Sequence, residues 1–96
     1  MQTIVLDARK FTDREASHEY LKRVFDFPEY YGNNLDALYD CLTDLAPTEI
    51  VMENVQDAGF FYPVIRHVIH SAKKENHELR VFILGLEDDE DEEDEE

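Results

Sequence analysis

Asp36 and Asp40 are four residues apart within Pro28-Glu29-Tyr30-Tyr31-Gly32-Asn33-Asn34-Leu35-Asp36-Ala37-Leu38-Tyr39-Asp40-Cys41-Leu42-Thr43, a run that also holds three tyrosines. On a helix that spacing stacks the two carboxylates on one face, with Tyr39 beside them. Paired carboxylates can serve as general acid and base in glycoside hydrolysis, or hold a hard metal ion. Neighbours on a single helix do not flank a substrate, however, and no glycine-rich phosphate loop or nucleophile motif accompanies them. Two other readings stay open: a merely solvated helix face, and a display of negative charge for a cationic partner. Asp36 falls in the first turn, where the helix dipole favours an anion, but Asp40 gains little from it, and stacked like charges repel by about 0.2–0.5 kcal/mol. A cationic partner would turn that cost into affinity.

The element that carries these groups is legible locally. Gly32 and the two asparagines break the chain, and Asn33 or Asn34 can accept a hydrogen bond from the free amides of the following turn, so a helix is expected to begin there. Leu35, Leu38, Leu42 and Leu45 recur at helical spacing as its buried stripe. Tyrosine offers a large contact area at low entropic cost, which suits Tyr30 and Tyr39 to a binding patch, whereas Tyr31 is expected to be the most buried of the three. Cys41, the sole cysteine, lies beside the leucine stripe and reads as a buried, inert thiol.

Around this helix the chain alternates strand and helix patterns. Thr3 to Leu6, Glu49 to Glu53 and Arg80 to Leu86 are short apolar runs that suit strands of a buried parallel sheet. Thr12 can cap a first helix with Glu15 completing a capping box, Tyr20, Leu21, Val24 and Phe25 giving its apolar face and Pro28 ending it. Ala58 to Lys74 carries Phe61, Val64, Ile65, Val68, Ile69 and Ala72 at helical intervals, with Pro63 in the first turn. Strand, two helices, strand, helix, strand predicts a small single α/β domain with a three-stranded parallel sheet and right-handed crossovers.

From 87 to 96 every residue is Asp or Glu, and such a block cannot bury apolar surface and is expected to stay disordered. The whole chain of 96 residues has a formal net charge of −15, and residues 1–86 alone hold 14 acidic and nine basic side chains. An acidic domain lacks the basic footprint that phosphate recognition requires, so direct nucleic-acid binding is not expected and a basic protein is the natural partner. The tail either confers solubility or adds long-range attraction for that partner. An acidic chaperone or nucleic-acid mimic for basic proteins is a further class that would rest on the tail alone. One cysteine rules out an internal disulfide, and the absence of a leader-like or membrane-spanning apolar run points to a cytoplasmic, soluble protein. His67 and His70 could both reach a metal, but Glu75 and His77 lie too far round the helix to be assured ligands; no cofactor or metal is expected.

The run from Pro28 to Thr43 resembles the barstar family, the intracellular inhibitors of barnase-type bacterial ribonucleases, and the order of elements over residues 1–86 continues the likeness more weakly. The resemblance implies a barstar-like domain over 1–86 followed by a disordered acidic tail over 87–96, no enzymatic activity, and 1:1 binding of a cognate basic ribonuclease by a chain that is monomeric when free. It implies contact with the nuclease through Tyr30, Gly32, Asn34, Leu35, Asp36, Tyr39, Asp40 and Thr43, with the Asp40 carboxylate in a phosphate subsite. An immunity protein for an interbacterial toxin nuclease would use the same chemistry. The chain departs from the family pattern where Tyr39 replaces tryptophan, Asn33 an acidic residue, Asp44 a glycine and Ser71 a glutamate. The connection before the last helix is also short, so the family's small extra helix is expected to be trimmed or absent.

Overall fold

The computed structural model describes residues 1–84. The acidic run 87–96, and the last two residues of the strand expected to reach Leu86, lie outside the described residues. The elements are β1 (Gln2–Asp7), a 3-10 turn (Ala8–Lys10), α1 (Arg14–Phe25), α2 (Leu35–Thr43), β2 (Thr48–Glu53), a second 3-10 turn (Val55–Asp57), α3 (Tyr62–Glu75) and β3 (Leu79–Ile83). The sheet has the order β1-β2-β3 and is parallel throughout, with Ile4 opposite Ile50 and Ile50 opposite Val81. This is the expected small α/β domain. The 3-10 turn at Val55–Asp57 is all that stands between β2 and the segment leading into α3, in line with a trimmed extra helix.

Several local expectations shift. The cap of α1 is Asp13, not Thr12. Asp13 has extended backbone and its carboxylate accepts the Ala16 amide at 2.8 Å, so Glu15 falls within the first turn and no capping box forms. Nor does Pro28 end α1. Asp26 adopts a left-handed conformation (φ 58°) and the Phe27 amide closes back on the Lys22 carbonyl at 3.0 Å, two residues before the proline. The last helix begins at Tyr62 rather than Ala58, with Pro63 in its first turn as expected.

Among the described residues the sheet is covered on one face only, which corrects the reading of its strands as buried on both sides. Leu6, Ile50, Met52 and Leu79 are buried, whereas Val5 is 46% and Phe82 45% exposed. Val5, Val51 and Phe82 share one row across the open face, and Thr3, Glu49 and Arg80 share the next. Three helices suffice to cover a single face, and both faces of a parallel sheet are buried only when crossovers put helices on each.

The core between sheet and helices is built by Leu6, Phe11, Leu21, Leu38, Leu42, Ile50, Met52, Ile65 and Ile69, all fully buried. For α2 this means that Leu38 and Leu42 hold the helix down, each contributing about 1.5–3 kcal/mol by area. Leu35 and Leu45, expected in the same stripe, are only partly buried.

Asp7 ends β1 and ties it to the following turns. Its carboxylate accepts the Arg9 amide and Nε at 3.0 Å, pairs with the rest of that guanidinium, and accepts Asn54 Nδ2 at 3.1 Å. The Arg9 side chain holds the Asp7 carboxyl far below the usual carboxylate range, outweighing partial burial, and the Arg9 amide and Asn54 add to it. A group with a depressed folded pKa contributes stability that is full above its unfolded value and is lost as pH falls through the folded one. Asp7→Asn is therefore expected to lower the urea midpoint at pH 7, with the gap from wild type narrowing as pH drops below about 4. A gap that stays constant from pH 7 to pH 2 would show that the ion pair contributes nothing.

Candidate functional site

The loop from Pro28 to Asn34 is exposed except at its anchor, Tyr31, and at half-buried Asn33. Tyr31 is 5% exposed, its ring packs on Phe27 at 4.9 Å, and Phe27 stacks on Phe25 at 5.1 Å. Its hydroxyl meets Nδ1 of His18 at 2.6 Å, and burial pushes the Tyr31 phenol up from its ordinary value. His18 is fully buried on α1, and burial, with Arg14 one turn away, lowers its pKa. A neutral imidazole paired with a neutral phenol thus fixes the loop to the body of the domain. Tyr30, next to this anchor, stands 86% exposed. This anchoring by His18 is not legible in the sequence alone.

The loop passes into α2 through Asn33, in a left-handed conformation (φ 52°), and Asn34, whose Oδ1 accepts the Ala37 amide at 2.8 Å. Of the two candidate caps it is therefore Asn34 that starts the helix. Its Nδ2 also reaches the Gly32 carbonyl at 3.3 Å, and a Cβ on Gly32 would stand 3.0 Å from that nitrogen. Glycine here leaves the backbone bare toward solvent.

Along α2, Asp36 and Asp40 are exposed, Tyr39 and Thr43 half-buried. The Thr43 hydroxyl donates to the Asp40 carbonyl at 2.9 Å, which leaves its lone pairs free for outside donors. Asp7 and Arg9 form the only ion pair among the described residues, so neither Asp36 nor Asp40 is paired with a cation there. Tyr30, Gly32, Asn34, Asp36 and Asp40 are all exposed, and Leu35, Tyr39 and Thr43 intermediate, so each of the eight candidates retains accessible surface on this loop and helix. Cys41, expected buried, is only partly so, and burial followed by the nearby Asp40 and Asp44 carboxylates pushes its thiol up, keeping it protonated.

This surface belongs to a known kind of chain. The family Barstar (barnase inhibitor) matches residues 1–96. The chain belongs to the barstar family. A protein of Bacillus subtilis (strain 168), named "Putative ribonuclease inhibitor YrdF", is 40% identical to this barstar-family chain over 91 residues, covering 86% of this chain and 99% of the relative.

Elsewhere, His67 is exposed and His70 half-buried, and His70 is lowered by burial and then by Arg66, Lys73, Lys74 and His67. That cationic surrounding disfavours a metal ion, and among the described residues no three His, Cys, Asp or Glu side chains converge as ligands. An open depression of about 350 Å³ beside the loop is lined by Arg14, Glu15 and Asn33, which carry no nucleophile. Phe60, on the turn into α3, is 91% exposed, against the ordinary preference of a large aromatic for the interior. Among the described residues no helix is long and apolar enough to cross a membrane.

Proposed function

We propose that this barstar-family chain inhibits a cognate basic ribonuclease by seating the Asp40 carboxylate where an RNA phosphate would bind. The observation that carries it is the Asp36–Asp40 pair, exposed on a helix held down by buried Leu38 and Leu42, with neither carboxylate paired with a cation among the described residues. Family membership, and a relative named "Putative ribonuclease inhibitor YrdF", support the same reading.

A ribonuclease cleft must stabilise a phosphodiester and is lined with arginine, lysine and histidine; a rigidly held carboxylate satisfies those donors as phosphate does. Asp40 lies at the centre of the contact and Asp36 nearer its rim, with Thr43 accepting a donor. The nuclease approaches the bare backbone at Gly32, Asn34 and Leu35 flank it, and Tyr30 and Tyr39 exclude water around the charges. The protein performs no chemistry; it blocks the active site as one monomer per nuclease, in the cytoplasm of the cell that holds both. A pull-down from that cell followed by an inhibition titration is the test. Recovery of a basic ribonuclease whose activity ends at one equivalent supports the proposal, and a captured nuclease that stays fully active overturns it.

The acidic run 87–96 is assigned to long-range attraction, outside the docked surface. Deleting it is expected to leave the dissociation rate unchanged and to slow association several-fold at low ionic strength, an effect that fades near 0.15 M salt, where the screening length is about 8 Å. Stopped-flow mixing across salt concentrations measures this. A sharp rise in dissociation rate would show that the run docks.

A further inference from the structure

The last turn of α2 is closed by long backbone bonds, from the Asp44 amide to the Asp40 and Cys41 carbonyls at 3.2 and 3.3 Å and from the Leu45 amide to Leu42 at 3.3 Å, with neither a cation nor a left-handed cap to reinforce them. That turn has no basic residue, and Asp44 follows it with right-handed backbone (φ −96°, ψ 0°) in place of a left-handed glycine or asparagine. A carboxylate there faces the negative end of the helix dipole, one turn beyond Asp40, which is itself one turn beyond Asp36. These features all favour fraying of the turn that supports the binding face. The Thr43 hydroxyl and the Asp44 amide both bond to the Asp40 carbonyl, so fraying would release Asp40 and Thr43 together.

Reinforcing donors come from another part of the chain. Asn76 directly follows α3 and is 8% exposed, and its Nδ2 donates to the carbonyls of Leu42 and Leu45, both at 3.0 Å. Its Oδ1 accepts the Glu78 amide at 3.0 Å, its own amide donates to Ala72 at 2.8 Å and its carbonyl accepts Leu79 at 3.1 Å. The side-chain orientation follows from these partners, because a flipped amide would set Oδ1 against two carbonyl oxygens. The corner between α3 and β3 thus aims a two-donor fork at Leu42 in the last turn of α2 and at Leu45 just beyond it.

We infer that Asn76 is a positioning residue of the inhibitory surface: it clamps the end of α2 and so holds Asp40 and Thr43 in the geometry that meets the nuclease. This rests on the proposed role of Asp40. A carboxylate fixed before contact loses less freedom on binding than one on a fraying turn, so the clamp acts on affinity beyond its share of stability.

Asn76→Ser separates the two roles. A serine hydroxyl can accept the Glu78 amide as a local turn does, but it cannot reach both the Leu42 and the Leu45 carbonyls. Rates of binding to the cognate ribonuclease are measured for wild type, Asn76→Ser, Asp40→Ala and the double variant, with circular dichroism confirming the fold. Asn76→Ser is expected to raise Kd about ten-fold, through faster dissociation. In the Asp40→Ala background the same change is expected to cost less than about two-fold, because nothing remains to be positioned. An equal factor in both backgrounds, or none in either, overturns the inference. If Asp40→Ala weakens binding and Asn76→Ser does not, the clamp alone fails; if Asp40→Ala is itself without effect, the proposed site fails and the clamp with it. A measurement on the unaltered free protein removes dependence on the variant: the Asp44 and Leu45 amides are expected to exchange hydrogen at least about 100-fold more slowly than the amides of the exposed loop, on the order of protection seen for packed helices. Exchange at loop rates overturns the inference.

Discussion

Asp40→Ala is expected to abolish inhibition almost completely in a protein that remains folded. The exposed carboxylate contributes little to α2, where it stacks on Asp36 and is paired with no cation among the described residues, so its removal leaves the helix intact. In the complex it would neutralise several cations of the nuclease cleft, and losing it leaves those cations buried and unpaired. Interface hot spots reach about 4–8 kcal/mol, and their best-known extreme is barstar itself, so that magnitude is borrowed from the family and does not follow from this structure. It corresponds to a Kd raised by about three to six orders of magnitude. Titration calorimetry or competition kinetics with the cognate ribonuclease gives the number, with circular dichroism as the control. Wild-type affinity in a folded Asp40→Ala protein would mean that the scaffold is shared with the family and the mode of inhibition is not.

The largest expected effect on stability lies away from that surface. Gly59 donates its amide to the Ala8 carbonyl at 3.0 Å, and Phe61 donates to the Phe11 carbonyl at 2.9 Å, so the turn into α3 lies directly on the backbone after β1. A Cβ on Gly59 would overlap the Phe11 carbonyl and stand 2.8 Å from the Thr12 nitrogen. Backbone on both sides cannot yield as a side-chain tip can, so the turn must lift and break those hydrogen bonds. Gly59→Ala is expected to cost about 3 kcal/mol, a large part of the stability of a domain this size and on the order of 15 °C in Tm. Phe60→Ala, one residue on, is the control: its side chain is 91% exposed, and its removal is expected to leave Tm unchanged. A Gly59→Ala protein that melts within about 2 °C of wild type would show that the turn relaxes freely.

The features legible in the sequence are those decided within one or two turns of chain. Gly32-Asn33-Asn34 before a leucine stripe specifies a helix start, because the capping group and the amides it caps are three residues apart. Tyr31 is likewise separable from Tyr30 as the buried member of the pair. Where two local signals compete, sequence does not arbitrate: Thr12 and Asp13 are both capable caps, and the carboxylate takes the position. Asp26 and Pro28 can each end a helix, and the left-handed aspartate does so first.

Sequence by itself determined the element order, the acidic character, the charged pair on α2 and the family likeness, since each depends on residue types at short spacing. Tertiary structure alone decided which faces are covered and which groups are held. Ile4-Val5-Leu6 reads the same whether a sheet is buried on one side or two, and only the packing of the helices leaves Val5 and Phe82 in the open. His18, in the polar stretch Ser17-His18-Glu19, gives no local sign of burial, because the hydroxyl that receives it is thirteen residues away. Asn76 gives no sign of reaching α2, for its two acceptors lie 34 and 31 residues earlier. A side-chain amide can bond to any carbonyl the fold brings within about 3 Å, and that choice is made by the packing of α3 against α2, not by the residues beside it.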